Sequence, residues 1–441
     1  MMMGTNAPGG APSRPPLLLA LILFSFGAAI LRNPGLPPAP FRASSPVERG
    51  PDEPRFDSAF VSARNNTQAH AASLVELKDG RVRAFWYAGS REGAKDVEIR
   101  SAVFDPHRGG WSGETTVASR ESTQASVRRL VKKVGNPTAG RAADGRLWLF
   151  YVTVSVGGWA GSSITAMTSS DEGEAWSAPR RLITSPFVNV STLVRGAPFL
   201  YADGTMGLPV YHEFIGQFAE LLRLDGAGRV IDKQRLSPSG FGLQPVVLVR
   251  GPSEAVALMR YAGPERHPRV VRCVTRDAGQ HWTRPTWSTL SNPDAALSGV
   301  VLPDGRLLVA LNNIEVDRDA LSLVISGDGG ESWETVHQLE DQLARRERPP
   351  DEGRYLRIIE RLARASDSAL ADPSAYGPAV KRAMRWGDRY HFEFSYPSLI
   401  QTRDGDFHLV YAWNRTLIKH VRFNRAWLDQ QLSGASHAEP H

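Results

Sequence analysis

A handful of residues in this chain have the type and the placement to do chemistry. Arg260 ends the run Leu258-Met259-Arg260, and Arg318 precedes Leu321-Ser322-Leu323-Val324. Each lies one hairpin ahead of a turn of the same sequence type. The two guanidinium forks therefore come from equivalent places in neighbouring units and can converge on one carboxylate. Taken singly, either is an ordinary surface arginine; their shared placement makes them a site. His70, in Ala69-His70-Ala71-Ala72-Ser73, brings an imidazole whose ordinary pKa lies near neutrality, so it is a workable base. Tyr396, in Phe394-Ser395-Tyr396-Pro397, brings a phenol. Asp96 follows Ser90-Arg91-Glu92-Gly93-Ala94-Lys95, and Lys95 favours its ionised form. Gln244, in Leu243-Gln244-Pro245, offers an amide that cannot accept a proton. Arg415, in the tail of the last strand, adds positive charge. These groups suit work on an anionic small substrate.

Other chemistries are excluded. Cys273 is the single cysteine, so there is no intrachain disulfide and no multi-cysteine metal site. The 11 histidines are scattered without His-Glu-x-x-His spacing, and no metal or other cofactor is expected. There is no phosphate-binding glycine loop ahead of a helix and no Gly-x-Ser-x-Gly elbow. The net charge of +6 arises from 52 basic and 46 acidic residues, interspersed, which does not call for a nucleic-acid partner.

The elements that must hold these residues announce themselves by repetition. Ser169 to Trp176, Thr275 to Trp282 and Ser326 to Trp333 all fit S/T-x-D-x-G-x-x-W, with a degenerate copy from Asp105 to Trp111. The pattern is a tight hairpin: hydroxyl and Asp bond the turn backbone, Gly takes a positive φ, and Trp packs the turn onto its strands. A second repeat interleaves with it. Asp79-Gly80, Asp144-Gly145, Asp203-Gly204, Asp304-Gly305 and Asp404-Gly405 each precede an alternating strand, with a worn copy at Ser253-Glu254. The first five units recur every ~50 to 65 residues, the span of a four-stranded propeller blade. The last spacing is longer, and residues 338–392 carry helical periodicity at Tyr355, Ile358, Ile359, Leu362, Val380 and Met384. The expected fold is all-β, a six-bladed β-propeller over residues 58–430 with a helical insert before its last blade.

The ends of the chain differ in character. Residues 15–31, PPLLLALILFSFGAAIL, flanked by Arg14 and Arg32, suit a signal peptide or an uncleaved anchor. Either reading exports the remainder, to the periplasm, the medium or the cell surface, with membrane contact only through residues 15–31. Residues 33–57 are Pro-rich and read as an extended linker. Residues 431–441 read as a disordered tail.

Six such units with Asp-box turns resemble the sialidase (neuraminidase) superfamily, in its bacterial BNR-repeat branch. The resemblance implies a glycoside hydrolase acting at the end of an acidic glycan or sialoglycoconjugate. Three arginines would clamp the substrate carboxylate, a Tyr would be the nucleophile and an Asp on a loop the acid/base. Carried onto this chain, it implies Tyr396 as nucleophile, Asp96 as acid/base with Arg91 ahead of it, and Arg260 and Arg318 as two of the clamping arginines. Two positions depart from the pattern. His70 stands where the first arginine is expected, and Gln244 stands near the place of the glutamate that pairs with the Tyr. Glu213, in Tyr211-His212-Glu213, could substitute for that glutamate. The departures leave two rival readings open: a polysaccharide lyase acting on a uronate with His70 and Tyr396, and an acidic-glycan-binding propeller without catalysis.

Overall fold

The structure, a computed structural model, describes residues 15–32, 39–42, 47, 50, 53–62, 68–185 and 189–435. The chain divides into two units, residues 1–38 and 39–441. Of the first, the described part is one helix, α1 (Pro15–Arg32), with Leu18, Leu19, Leu23 and Phe24 exposed. No helix among the described residues is long and apolar enough to cross a membrane.

The second unit is a six-bladed β-propeller, as the repeats predict. Five blades follow in chain order, with innermost strands Gln68–Glu76, Lys133–Arg141, Leu193–Val194 with Phe199–Leu200, Leu243–Val249 and Ser298–Val301. Blade 6 is built from Phe394–Gln401, Phe407–Trp413 and Leu417–Phe423, and its fourth strand is Phe56–Phe60 from the beginning of the unit. That strand pairs antiparallel from Phe56 opposite Phe423 to Phe60 opposite Lys419, so the two ends of the unit close the ring. The closing strand begins at Phe56, and Phe41, inside the Pro-rich stretch, is 2% exposed and bridges Tyr201. The stretch expected to be an extended linker is docked at both places; the rest of residues 33–52, apart from 39–42, 47 and 50, lies outside the described residues.

Each repeat does what its composition dictates. In the first Asp-box, Gly173 N donates to Ser169 Oγ at 2.8 Å, Ala175 N to Asp171 Oδ1 at 3.0 Å, and Trp176 Nε1 to Gly173 O at 3.0 Å. The boxes at Asp277 and Asp328 repeat the hydroxyl and carboxylate bonds. In the Asp-Gly turns the Asp side chain accepts from the amide two residues on, Arg81 N to Asp79 at 3.1 Å for example, and Gly80 takes φ +83°. Both kinds of turn join strands at the same end of a blade. The loops between second and third strands, and the links from one blade to the next, gather at the other end, the mouth.

The insert is helical, but its boundary shifts: the outer strand of blade 5 runs Glu334–Asp341, so residues 338–341 belong to the sheet. Helices α3 (Glu352–Ser366) and α4 (Gly377–Met384) follow, along with the hairpin Arg385–Trp386/Arg389–Tyr390; α2 (Arg120–Val127) lies earlier, between blades 1 and 2. Tyr355, Ile358, Ile359, Val380 and Met384 are buried in one cluster with Leu308, Phe394 and Trp413 of blades 5 and 6, and Leu362 packs at its edge. A last helix, α5 (Arg425–Ala435), covers residues 431–435 of the expected tail, with Trp427 and Leu428 in the same cluster. Residues 436–441 lie outside the described residues.

Candidate active site

One position recurs at the same distance from the inner turn of each blade. Six residues after it, the innermost strand reaches its turn, where Leu77, Ala142, Tyr201, Arg250, Leu302 and Thr402 each donate a backbone hydrogen bond across the hairpin. Counting back from those turns gives Ala71, Asn136, Arg195, Gln244, Ala296 and Tyr396. At four of them the strand bulges: pairing slips by a residue at Ala71, Asn136, Gln244 and Tyr396, and their φ angles are +52°, +46°, +50° and +55°. A left-handed residue that is not glycine is strained, and a bulge re-aims its side chain out of the alternating pattern. Three of the four precede proline, which has no amide to lose from the ladder.

These side chains and their neighbours form one network. Asn136 Nδ2 and Gln244 Nε2 both donate to the buried Tyr211 hydroxyl at 3.2 Å. Gln244 Oε1 accepts from Arg260 Nη1 at 3.1 Å, and the same nitrogen donates to the Tyr396 hydroxyl at 3.4 Å. Arg260 Nε is bound by Asp294. Burial works against the charge of Arg260, but Tyr396 and Asp294 outweigh it and raise its pKa. Arg195 Nη2 donates to the carbonyls of Tyr396 and Pro397 at 2.9 and 2.8 Å, fixing the bulge from below. Full burial lowers its pKa to about 10, so it stays charged at neutrality. Gly196 lets the chain pass here, since a Cβ would stand 2.2 Å from Pro245 O.

Tyr396 is the hub. The guanidinium carbons of Arg195 and Arg318 lie 5.5 and 5.6 Å from its ring centroid, and the His70 ring stands edge-on at 4.5 Å. Beside it lies Glu393, 3% exposed. Its Oε1 is 3.3 Å from His70 Nε2 and 3.6 Å from Arg318 Nη1, and accepts from Ser395 Oγ at 2.6 Å; its Oε2 accepts from Arg415 Nε at 2.6 Å. Burial opposes the carboxylate, yet His70, Arg415 and Arg318 hold its pKa far below the usual glutamate range. Arg195, Arg260 and Arg318 thus stand around one phenol, with Asp294 on Arg260 and Glu393 between Arg318 and Arg415.

The structure thus brings His70, Gln244, Arg260, Arg318, Tyr396 and Arg415 together. Asp96 and Arg91 lie in the loop of residues 90–97, which joins the second and third strands of blade 1 at the mouth end. The Asp96 carboxylate is turned onto Ser90, accepting from its N and Oγ at 2.9 Å each. Slight burial works against it, but these bonds lower its pKa. Glu213 differs: burial and then Asp294 push its pKa up, against Arg260 and Lys133. Arg195, Glu393 and Tyr211 escape a reading of the repeats. Arg195 could have been found by its spacing, eight residues before Asp203-Gly204 as Tyr396 is before Asp404-Gly405. Glu393 could have been found as a charge inside the apolar run Phe392-Glu393-Phe394, where burial demands partners.

Comparisons with known proteins agree with this architecture. The family described as BNR repeat-like domain matches residues 80–409. Among solved structures, the Hadza microbial sialidase Hz136 superposes with TM-score 0.59 at 15% identity, over 81% of this chain and 66% of its own. The Trypanosoma rangeli sialidase gives TM-score 0.58 at 14% identity, over 87% of this chain and 62% of its own. A Dyadobacter fermentans DSM 18053 protein of unknown function gives 0.59 at 12% identity, over 83% of this chain and 98% of its own. The chain spans just under two thirds of the length of the two sialidases. No curated protein matches it in sequence. With its blades in sialidase-like arrangement and the match extending over most of its length, the chain belongs to the BNR repeat-like family.

Proposed function

We propose that the protein is a sialidase-like glycosidase that binds a terminal acidic sugar in the mouth and cleaves its α-linkage, with Tyr396 as nucleophile. The observation that carries this reading is the gathering of three guanidinium groups, from Arg195, Arg260 and Arg318, around the Tyr396 phenol. A neutral phenol approaches an anionic sugar where a carboxylate would be repelled. Arg260 donates to the oxygen that would attack and so stabilises the charge that develops there, while Gln244 cannot accept its proton. In this scheme the phenol oxygen bonds to the anomeric carbon as it gives up its proton to solvent and the aglycone leaves with a proton from Glu213; water then displaces Tyr396, giving its proton to Glu213 while the phenol oxygen recovers one from solvent. Glu213, its pKa raised, has the electrostatics of the proton donor. Asp96, its pKa lowered, would need the substrate to bury it first.

One observation favours a second reading, β-elimination from a uronate. His70 is paired with Glu393 and packed against Tyr396, the arrangement of an oriented base beside a phenolic proton donor. A panel of sialosides and uronate glycans separates the two. Free nonulosonic acid supports the hydrolase, and growth of ultraviolet absorbance without free acid supports the lyase. Binding without turnover supports a glycan-binding propeller. In the hydrolase, Tyr396→Phe abolishes release while leaving the fold intact; full activity in that variant would refute the assignment. We also infer export of the propeller, directed by the apolar residues 15–31.

A further inference from the structure

Between the mouth and the helical insert lies a cavity of about 360 Å³. One wall is the mouth itself, through Arg318, Glu393 and Arg415; the opposite wall comes from the insert, through Arg345, Trp386 and Arg389. Five arginines and three carboxylates line it. Glu393 is taken by Arg318 and Arg415, and Asp319 by Arg346. Arg345 and Arg389 are left with Asp317 as the remaining carboxylate of the lining. Arg345 donates to the neutral Gln342 side chain, and Arg354 and Arg361 of α3 add like charge beside it. Trp386 and Arg389 are direct cross-strand partners in the insert's short hairpin, whose turn is made by Gly387 at φ +61°. Such a pair projects to one side of the hairpin. The indole is 44% exposed, stacked on His391 at 4.4 Å and 5.6 Å from the Arg415 guanidinium, so it links the new wall to the mouth. An aromatic surface flanked by guanidinium groups that make no ion pair among the described residues is what an acidic sugar ring needs: apolar contact for its C–H face and forks for its carboxylate or sulfate.

We propose that the insert builds a second anion subsite, and that the preferred ligand is an oligosaccharide with two adjacent anionic units, one in the mouth and one against Arg345, Trp386 and Arg389. This rests on reading the mouth as an acidic-sugar site. The test uses the full chain carrying Tyr396→Phe, so that no ligand is consumed, and titrates 3′-sialyllactose and α2,8-linked disialyllactose calorimetrically. The disialyl probe should bind on the order of tenfold more tightly, one charge-assisted contact's worth. Adding Arg345→Ala and Arg389→Ala should remove that advantage and leave the monosialyl affinity unchanged. An advantage that survives the double substitution overturns the subsite, and so does an equal loss for both probes. Inorganic sulfate, followed by the fluorescence that Trp386→Phe removes, reads the insert wall alone. Sulfate binding weakened several-fold by the two arginine substitutions, with neither sialoside bound, would refute the mouth reading and keep the anion site. Sulfate binding unaffected by them would refute the anion site itself.

Discussion

Arg195 shows how one buried side chain can hold the backbone of another residue, here Tyr396, in place. It is 5% exposed and spends its two short hydrogen bonds on the carbonyls of Tyr396 and Pro397. Arg195→Ala leaves two buried carbonyl oxygens without a donor. It should destabilise the protein by about 2–6 kcal/mol, at about 1–3 per orphaned group, read from urea unfolding. Arg195→Lys keeps the charge with a single point donor in place of the fork, and should fall between. Equal stability in the alanine variant would mean that the bulge at Tyr396 holds itself. At this scale the sequence was only partly legible. Arg260 and Arg318 stood out because each adjoins an Asp-box, and His70 and Gln244 because each breaks an expected motif. Arg195 sits in blade 3, whose outer hairpin has no Asp-box to mark it, and Glu393 sits at the junction where helical periodicity gives way to a strand. Asp96 could be located by pattern, but its turn back onto Ser90 is a matter of loop conformation that no spacing encodes.

The blade was the most legible element, because its two turns are chemical necessities with fixed residue types. The bulges were not, since they break the period-2 alternation by which strands are recognised. Closure of the ring was also hidden: the boundary drawn between residues 57 and 58 cuts through Phe56–Phe60, which supplies the outer strand of blade 6. A chain beginning at residue 39 should keep the thermal midpoint of the full chain within a degree or two and stay in the cytosolic fraction, while the full chain is exported. A chain beginning at residue 62 leaves the edge of Leu417–Phe423 unpaired and should aggregate on expression. Size-exclusion chromatography and fractionation check both. A stable monomer from the shorter chain would mean that the closing strand is dispensable, and cytosolic retention of the full chain would contradict the leader.

At the scale of the molecule, buried charge sets how stability responds to pH. His408 Nδ1 and His420 Nε2 lie 3.0 Å apart between stacked rings in blade 6, with Trp111 Nε1 donating to His420 Nδ1. Burial, and then neighbouring charge, pushes His408 down to about 3 and His420 well below its ordinary value. In the unfolded chain both take protons near pH ~6.5, so below that the unfolded state binds more protons and stability falls with pH. Each histidine contributes at most about 1.4 kcal/mol per pH unit. Glu393 acts in the same direction lower down: its stabilisation is present above the ordinary glutamate range and is lost as pH falls beneath it. The urea midpoint should therefore drop steadily from pH 7 to pH 4, and His408→Gln should flatten the upper part of that slope. A midpoint constant over this range would show that these groups titrate alike folded and unfolded. The same charge distribution makes the central claim, that the mouth recognises an acidic sugar by its carboxylate, open to one direct measurement. The unsaturated sialic acid analogue 2,3-didehydro-2-deoxy-N-acetylneuraminic acid and its methyl ester differ only in that charge. Titrated against the wild-type chain, the acid should bind and the ester should bind at least about tenfold more weakly, the loss expected when a guanidinium cluster faces a neutral group. Equal affinity for the two, or no affinity for the acid, would contradict the account.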